Sequence, residues 1–390
     1  MSTEYLTAAE AAQALGVSRQ TLYAYVTRKG IRSQATPGSR LRRYWKADID
    51  GLVSKNALRG RDVLQTNQSA ITLITERDLF YRGQNVIELA ETHSFEAVSA
   101  LLWGAPEDAP AEATTPPAKP LVARLAKLLD DEAAVNRASA MFPLIEGSSP
   151  KSYDISPRGM ARTGAEILRW FMAITLRSSE LPTQQLHTFA ARKLALSAEE
   201  GELVRRLLVL AADHGFEPAT MMVRAMASTG VTPWRSVLSG LAVGLGGRIR
   251  TDNYFAINRF IAEIIAAANP RKVVIQRVQE GEALPGFGST VYPHGDPRSR
   301  ALLAFCGQLY GAEPAYRRFH EAVEAVRDIC NVEPNFALSC LFVGWKIGLD
   351  PGESLFHVGR TAGWIAHAME QHEAGETEHE WGPYRGPLPP

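Results

Sequence analysis

The chain has 390 residues, 45% apolar and 22% charged, and its 42 Lys and Arg balance 42 Asp and Glu to a formal net charge of +0. That composition excludes a disordered chain, a collagen and a disulfide scaffold, and the length suits two or three domains with a large core. No run approaches the roughly 18 apolar residues of a membrane span. The N-terminus shows no basic region followed by an apolar one, so neither membrane insertion nor secretion is expected. Cys306, Cys330 and Cys340 lack metal-ligand spacing and read as reduced thiols of a cytoplasmic protein, with no metal site.

The balance of charge is uneven along the chain. Residues 1–61 carry 11 Lys and Arg against 4 acids, a surplus of +7 that residues 62–390 cancel. Such asymmetry suggests a basic module on an acidic body. Thr7 and Glu10 have the spacing of a capping box, opening a helix through Ala8, Ala12 and Leu15. Gly16 supplies a turn, and Ser18 can cap a second helix to about Thr27, with Leu22 and Val26 facing inward. A polar Pro37–Arg40 segment, then Arg42-Arg43-Tyr44-Trp45, reads as a basic β-wing, and Lys46–Val53 as a closing helix. This stretch, "LTAAEAAQALGVSRQTLYAYVTRKG" with "RRYWKADIDGL", resembles the winged helix-turn-helix of the MerR and excisionase families. The resemblance implies that the second helix enters the DNA major groove. The expected DNA-contacting residues are Ser18, Arg19, Gln20, Tyr23, Thr27 and Arg28 on the helix and Arg40, Arg42 and Arg43 on the wing. Phosphate neutralisation by such cations supplies most non-specific affinity.

A linker over 56–68 leads to the body. Ile71–Leu73 alternates like a short strand, and helical patterns dominate from Asn85 to about Met369, interrupted by an Ala- and Pro-rich segment over 105–120. Ser197 and Glu200 form a second capping-box pattern, followed by Leu203, Leu207, Leu210 and His214 at helical spacing. The spacing places His214 on an apolar helix face. The helix carrying Trp364 and His367 is expected from about Thr361, these two as packing residues rather than ligands, while a solvent-facing place is the default for His367, His372 and His379.

Five blocks in order resemble citrate synthases: Ala70–Gly104, "ADHGFEPATMMVRAMASTG", "LPGFGSTVYPHGDPRSRALL", "NVEPNFALSCLFVGWKIGL" and "LFHVGRTAGWIAHAMEQ". The resemblance implies a mainly α, two-domain helical fold, preceded here by the small winged helix-turn-helix. It also implies an obligate two-fold homodimer. The expected domains are 1–58 for the DNA-binding module and 62–390 for the body, with a small helical domain inserted at about 220–335.

The family joins an acyl-CoA to oxaloacetate. A carboxylate removes a proton beside the thioester, one His stabilises the enol, a second donates to the ketone, and Arg and His groups hold the carboxylates. By resemblance, His214, Arg298 and Arg360 are the substrate-binding residues. The bond-making positions are replaced: Ser289 stands for a His after Gly-Phe-Gly, Asn335 for the Asp before Phe, and Ile249 (or Leu245, in another register) for the His of a Leu-His-Gly-Gly segment. Glu217 stands where the family has Asn, and His379 where it has an Arg. An amide cannot exchange a proton near neutral pH, and each lost acid–base group removes about 10²–10⁴-fold in rate. Arg248 and Arg250 add positive charge to the altered segment.

The expected function is therefore a catalytically impaired paralogue that binds an oxaloacetate-like dicarboxylate, another 2-oxo acid or an acyl-CoA, and acts as a metabolite-responsive regulator on DNA. No cofactor is required beyond acyl-CoA as substrate or ligand. An active citrate or 2-methylcitrate synthase, and a pseudoenzyme subunit paired with an active paralogue, are the alternatives.

Overall fold

The computed structural model describes residues 5–36, 41–57, 68–107, 119–244, 254–350 and 355–375. The chain divides into two compact units, with the boundary between Gln68 and Ser69.

The N-terminal unit runs β1 (Tyr5–Thr7), α1 (Ala8–Leu15), α2 (Arg19–Lys29), β2 (Ser33–Ala35), β3 (Arg42–Trp45) and α3 (Lys46–Ala57). Both caps expected from the sequence are present. Thr7 Oγ1 accepts from the Glu10 N–H while a Glu10 oxygen accepts from the Thr7 N–H at 2.8 Å. Ser18 Oγ accepts from the Thr21 N–H at 3.1 Å. Gly16 ends α1 at φ 65°, a left-handed conformation that costs glycine little. The strands form an antiparallel sheet in the order β1-β3-β2, with Tyr5 opposite Trp45 and Gln34 opposite Arg43. β1 has no counterpart in the elements expected from the sequence. Three residues carry too little periodicity to mark a strand, and its pairing partner lies some 40 positions on. Ala11, Ala12, Leu15, Leu22, Ile31, Tyr44 and Ile49 form the core of this unit. The Arg32 guanidinium grips Asp48 through Nε at 3.1 Å and Nη2 at 2.8 Å, tying the strand side to α3.

The second unit opens with an antiparallel sheet of β4 (Thr72–Ile74), β5 (Leu79–Tyr81) and β6 (Gln84–Asn85). Helices follow: α4 (Val86–Thr92), α5 (Phe95–Trp103), α6 (Pro120–Leu128), α7 (Ala134–Glu146), α8 (Pro157–Thr175), α9 (Leu186–Leu194) and α10 (Ala198–Ala211). Then come α11 (Pro218–Ala227), α12 (Pro233–Gly244), α13 (Tyr254–Ala266), α14 (Pro270–Gln279), α15 (Pro297–Tyr310), α16 (Pro314–Cys330), α17 (Phe336–Lys346) and α18 (Leu355–Ala374). The mainly α fold expected from the sequence is the observed one. The second capping box closes as read, with the Glu200 N–H donating to Ser197 Oγ at 3.2 Å. α18 is the central element. It packs against α5, α8, α10, α11 and α12, and its buried positions cover nearly every face, the pattern of a helix enclosed by others. Trp103 donates its indole N–H to Ala362 O at 2.9 Å, and Trp364 lies against Gly240, where a Cβ would come within 2.9 Å of the ring. No helix among the described residues is long and apolar enough to cross a membrane.

Two boundaries differ from expectation. α18 begins at Leu355, not near Thr361, so His367 sits deep inside the helix and is fully buried rather than facing solvent. His372 is half-buried and lies 3.1 Å from Val231 O. α10 ends at Ala211, so His214 lies beyond the helix.

The core also holds an acid. Glu166 on α8 is buried, with Oε2 accepting from Ser149 Oγ at 3.0 Å and Oε1 meeting no partner among the described residues. Burial pushes its carboxyl up to about 7 against the opposing pull of Ser149, Arg162 and Arg169. A carboxyl raised in the fold binds more protons folded than unfolded, so its contribution is fully present below the unfolded value of 4.5 and is lost as pH rises through about 7. Glu166→Gln is expected to be more stable than the parent by about 2 kcal/mol at pH 8, with the gain vanishing toward pH 4. Urea unfolding across that range checks it; a constant difference would refute the assignment.

Candidate active site

The site is built on the loop that leaves α10. The loop is captured by distant groups rather than by its own sequence. Tyr81 and Asp213 exchange hydrogen bonds, the Tyr81 hydroxyl donating to Asp213 O at 3.0 Å and accepting from Asp213 N at 2.9 Å. Asp213 Oδ2 accepts from Thr72 Oγ1 at 2.6 Å and from the Gly215 N–H at 2.8 Å, and lies 3.4 Å from His367 Nε2. Burial alone would raise this carboxyl. The charges of His367 and Arg360 and the hydrogen bonds outweigh it and hold Asp213 well below the usual carboxylate range. The Gly363 N–H donates to Ala212 O at 2.9 Å, so the loop lies directly on α18. This capture is why the helical spacing through His214 misleads: α10 stops where Asp213 is pulled into the core.

Held this way, His214 and Glu217 face a cleft of about 180 Å³. Its other polar walls are Ser289, Thr290, Asp296, Arg298, Asn335 and Arg360, and Tyr254, Phe336 and Phe356 supply aromatic surface. Arg298 stands in the first turn of α15. Asp296, the N-cap, accepts from the Arg298 backbone N–H at 2.9 Å, from Nε at 3.1 Å and from Nη2 at 2.7 Å. Both side chains are buried. Burial opposes the charge of Arg298, and Asp296 more than offsets it. Nη1 of Arg298 is buried and has no hydrogen-bond partner among the described residues. Arg360, 1% exposed, donates Nε to Ala211 O at 2.9 Å and forms an ion pair with Glu217. The Phe336 ring lies 4.4 Å from the Arg298 guanidinium and Phe356 4.9 Å from that of Arg360.

His214 Nε2 lies 3.1 Å from the Tyr292 hydroxyl. Burial, then the positive charges of Arg298 and Arg360, push the imidazole well below its ordinary pKa, so it is neutral at pH 7. Burial pushes the Tyr292 phenol up to about 12, so its hydroxyl keeps its proton and can donate to Nε2. Such an imidazole offers its remaining N–H as a donor.

Ser289 Oγ accepts from the backbone N–H groups of Val291 at 3.2 Å and Tyr292 at 3.1 Å, which folds the turn after Gly288. Asn335 is the N-cap of α17, and its Oδ1 accepts from the Leu338 N–H at 3.1 Å. Gly286 O accepts from the Asn335 N–H, and Phe287 bridges Pro334, joining the two segments. Gly286 has φ 85° and lies so close to Leu338 that a Cβ would stand 2.8 Å from the leucine Cβ.

Six of the residues singled out from the sequence thus meet in one cleft: His214, Glu217, Ser289, Arg298, Asn335 and Arg360. Ile249 lies outside the described residues, as do Leu245, Arg248, Arg250 and His379. On the N-terminal unit, Ser18, Arg19, Gln20, Tyr23 and Arg28 are exposed on or at the start of α2, and Thr27 lies within it. Tyr23 is 54% exposed. Arg42 is exposed and Arg43 half-buried on β3, while Arg40 lies outside the described residues. The roles of Asp213, His367, Asp296 and Tyr292 escaped the sequence. Only Asp296 left a signal, as the N-cap pattern Asp-Pro before a helix.

Comparison with known proteins places these features. The family described as citrate synthase, C-terminal domain, matches residues 57–379, and a helix-turn-helix domain family matches residues 5–57. Citrate synthase 2 of Bacillus subtilis is 24% identical over 377 residues, covering 85% of this chain and 96% of that protein. A Mycobacterium tuberculosis protein named "Putative citrate synthase 2" is 32% identical over 198 residues, covering 48% of this chain and 52% of the relative, about half its length. The solved citrate synthase of Thermoplasma acidophilum, in ternary complex with carboxymethyl coenzyme A and oxaloacetate, superposes with a TM-score of 0.72 at 20% identity over 85% of this chain and 97% of that one. That of Pyrobaculum aerophilum gives 0.69 at 19% identity, covering 91% and 95%. A family match across most of the chain, a shared fold and a cleft assembled from the expected segments lead to one statement: the chain belongs to the citrate synthase family and carries an N-terminal helix-turn-helix domain.

Proposed function

We propose that this protein is a catalytically impaired member of its family that binds a small oxo acid or an acyl-CoA and acts as a ligand-responsive regulator on DNA. Asn335 carries the reading. It stands where the family resemblance calls for an Asp, and its side-chain oxygen caps α17. A carboxamide neither takes nor returns a proton near pH 7, so no general base is available there. Ser289 supports the same reading, because a hydroxyl engaged by two backbone N–H groups cannot supply the charge of an imidazolium. The proposed substrate-binding set is His214, Arg298 and Arg360. The Thermoplasma acidophilum neighbour was solved with oxaloacetate and a CoA derivative, which supports ligands of those classes here.

The basic module at 1–58 is proposed to read DNA through α2 and the wing, and the body at 62–390, with its inserted part at about 220–335, to sense the ligand. A two-fold homodimer would present two modules to a palindromic site. Its setting is taken to be the cytoplasm. The convergence of His214, Arg298 and Arg360 favours one alternative, an active citrate or 2-methylcitrate synthase.

Thiol release from acetyl-CoA or propionyl-CoA with oxaloacetate is expected not to exceed that of an Asn335→Ala control. Retention of genomic DNA fragments by the full chain is expected to change when oxo acids or acetyl-CoA are added. Turnover abolished by Asn335→Ala would establish the synthase instead, and binding to DNA no stronger than non-specific would remove the regulator.

A further inference from the structure

The charges around the cleft are already paired. Arg298 is held by Asp296 through two side-chain hydrogen bonds, and Arg360 by Glu217 through an ion pair. His214 is neutral. Two guanidiniums, two carboxylates and a neutral imidazole sum to zero, so the described residues that line the cleft leave no surplus of positive charge to receive a dianion. Glu217 is the partner that matters, because its side chain is 27% exposed at the cleft while that of Arg360 is 1% exposed. A ligand with two carboxylates would have to set one of them beside Glu217. Like charges brought together in a partly desolvated site are strongly disfavoured. A ligand with a single carboxylate meets no such clash.

We infer that the cleft selects 2-oxo monocarboxylates over 2-oxo dicarboxylates, and that Glu217 is the specificity-determining residue because its carboxylate occupies Arg360. The inference rests on the reading of this cleft as an oxo-acid site. Glu217 has no other evident duty: it stands at the N-cap position of α11, yet its side chain makes no cap hydrogen bond.

The probes are 2-oxobutyrate and freshly dissolved oxaloacetate, which share a four-carbon chain and differ by a methyl against a carboxylate. Titration calorimetry on the full chain is expected to show 2-oxobutyrate bound about tenfold or more tightly than oxaloacetate. Glu217→Gln keeps an acceptor for Arg360 and removes the charge. It should raise oxaloacetate affinity about tenfold or more while leaving 2-oxobutyrate within about threefold. Glu217→Asp keeps the charge and should keep the parent's ranking, which a merely structural partner for Arg360 would not predict. Thermal melts establish that each variant folds. Should Glu217→Gln fail to fold, the parent's own ratio and Glu217→Asp still decide.

The inference is overturned if the parent binds oxaloacetate as well as 2-oxobutyrate, if it binds neither, or if a folded Glu217→Gln leaves the ratio unmoved. Its failure is separable from that of the proposed function. Equal binding of both acids, with DNA retention still ligand-dependent, removes the selectivity alone. A preference for 2-oxobutyrate accompanied by Asn335-dependent thiol release removes the regulator alone.

Discussion

Gly363→Ala is expected to cost about 4 kcal/mol or more in stability and to abolish ligand binding. A Cβ at this position would stand 2.2 Å from Asp213 Oδ1 and 2.5 Å from Ala212 O, and neither group is the end of a flexible side chain with room to turn. Asp213 is fixed by Thr72, Gly215 and Tyr81, so relief requires moving the loop as a whole. That loop carries His214 and Glu217, so stability and binding fail together. Gly359, one turn earlier, faces Leu208 O at 2.8 Å in the same way. Gly344 on α17 is the control, because a Cβ there meets nothing nearer than 3.9 Å. Gly344→Ala should be stabilising by about 0.5–1 kcal/mol through helix propensity. Thermal and urea unfolding of the three proteins measures the contrast, and equal effects at 344 and 363 would contradict the packing described.

Arg298→Met is the second large effect. It removes the cation from a buried pair and leaves the Asp296 carboxylate, 4% exposed, uncompensated. Breaking one side of such a pair costs about 3–5 kcal/mol. Asp296→Asn with Arg298→Met should recover most of that loss, since an asparagine still caps α15 and no charge is stranded. Ligand binding should not return in the double variant, because the donors of the guanidinium are gone. Calorimetric titration alongside unfolding separates the two roles. Recovery of binding in the double variant would show that Arg298 serves the fold alone.

What the sequence disclosed was mostly short-range. The capping boxes at Thr7 and Ser197 depend on residues three apart, and both close as expected. The identities of His214, Ser289, Arg298, Asn335 and Arg360 came from local blocks, and those blocks meet at the cleft. The contacts that hold the cleft in place are long-range. Asp213 and His367 are 154 positions apart, and Tyr81 reaches Asp213 from 132 positions away. Nothing in the spacing of either pair marks it. The misplacement of His214 on a helix face has the same origin, because its side-chain periodicity continues past Ala211 while the backbone does not. His367 is buried because α18 is enclosed by other helices, a placement that no local spacing marks. The ion pair of Glu217 with Arg360 lay between these extremes: the odd residue was visible, its partner was not.

The reciprocal hydrogen bonds between Tyr81 and Asp213 have a consequence for how a ligand can be felt. A loop tied at both its amide and its carbonyl to a buried phenol is already ordered before anything binds, so binding carries little ordering entropy there. It also means that the loop is a poor messenger, since a rigid element cannot have its equilibrium shifted. If the protein responds to its ligand as proposed, the response must travel through groups with a second arrangement open to them. The ion pair of Glu217 with Arg360 is not such a group for a monocarboxylate ligand, which leaves it intact.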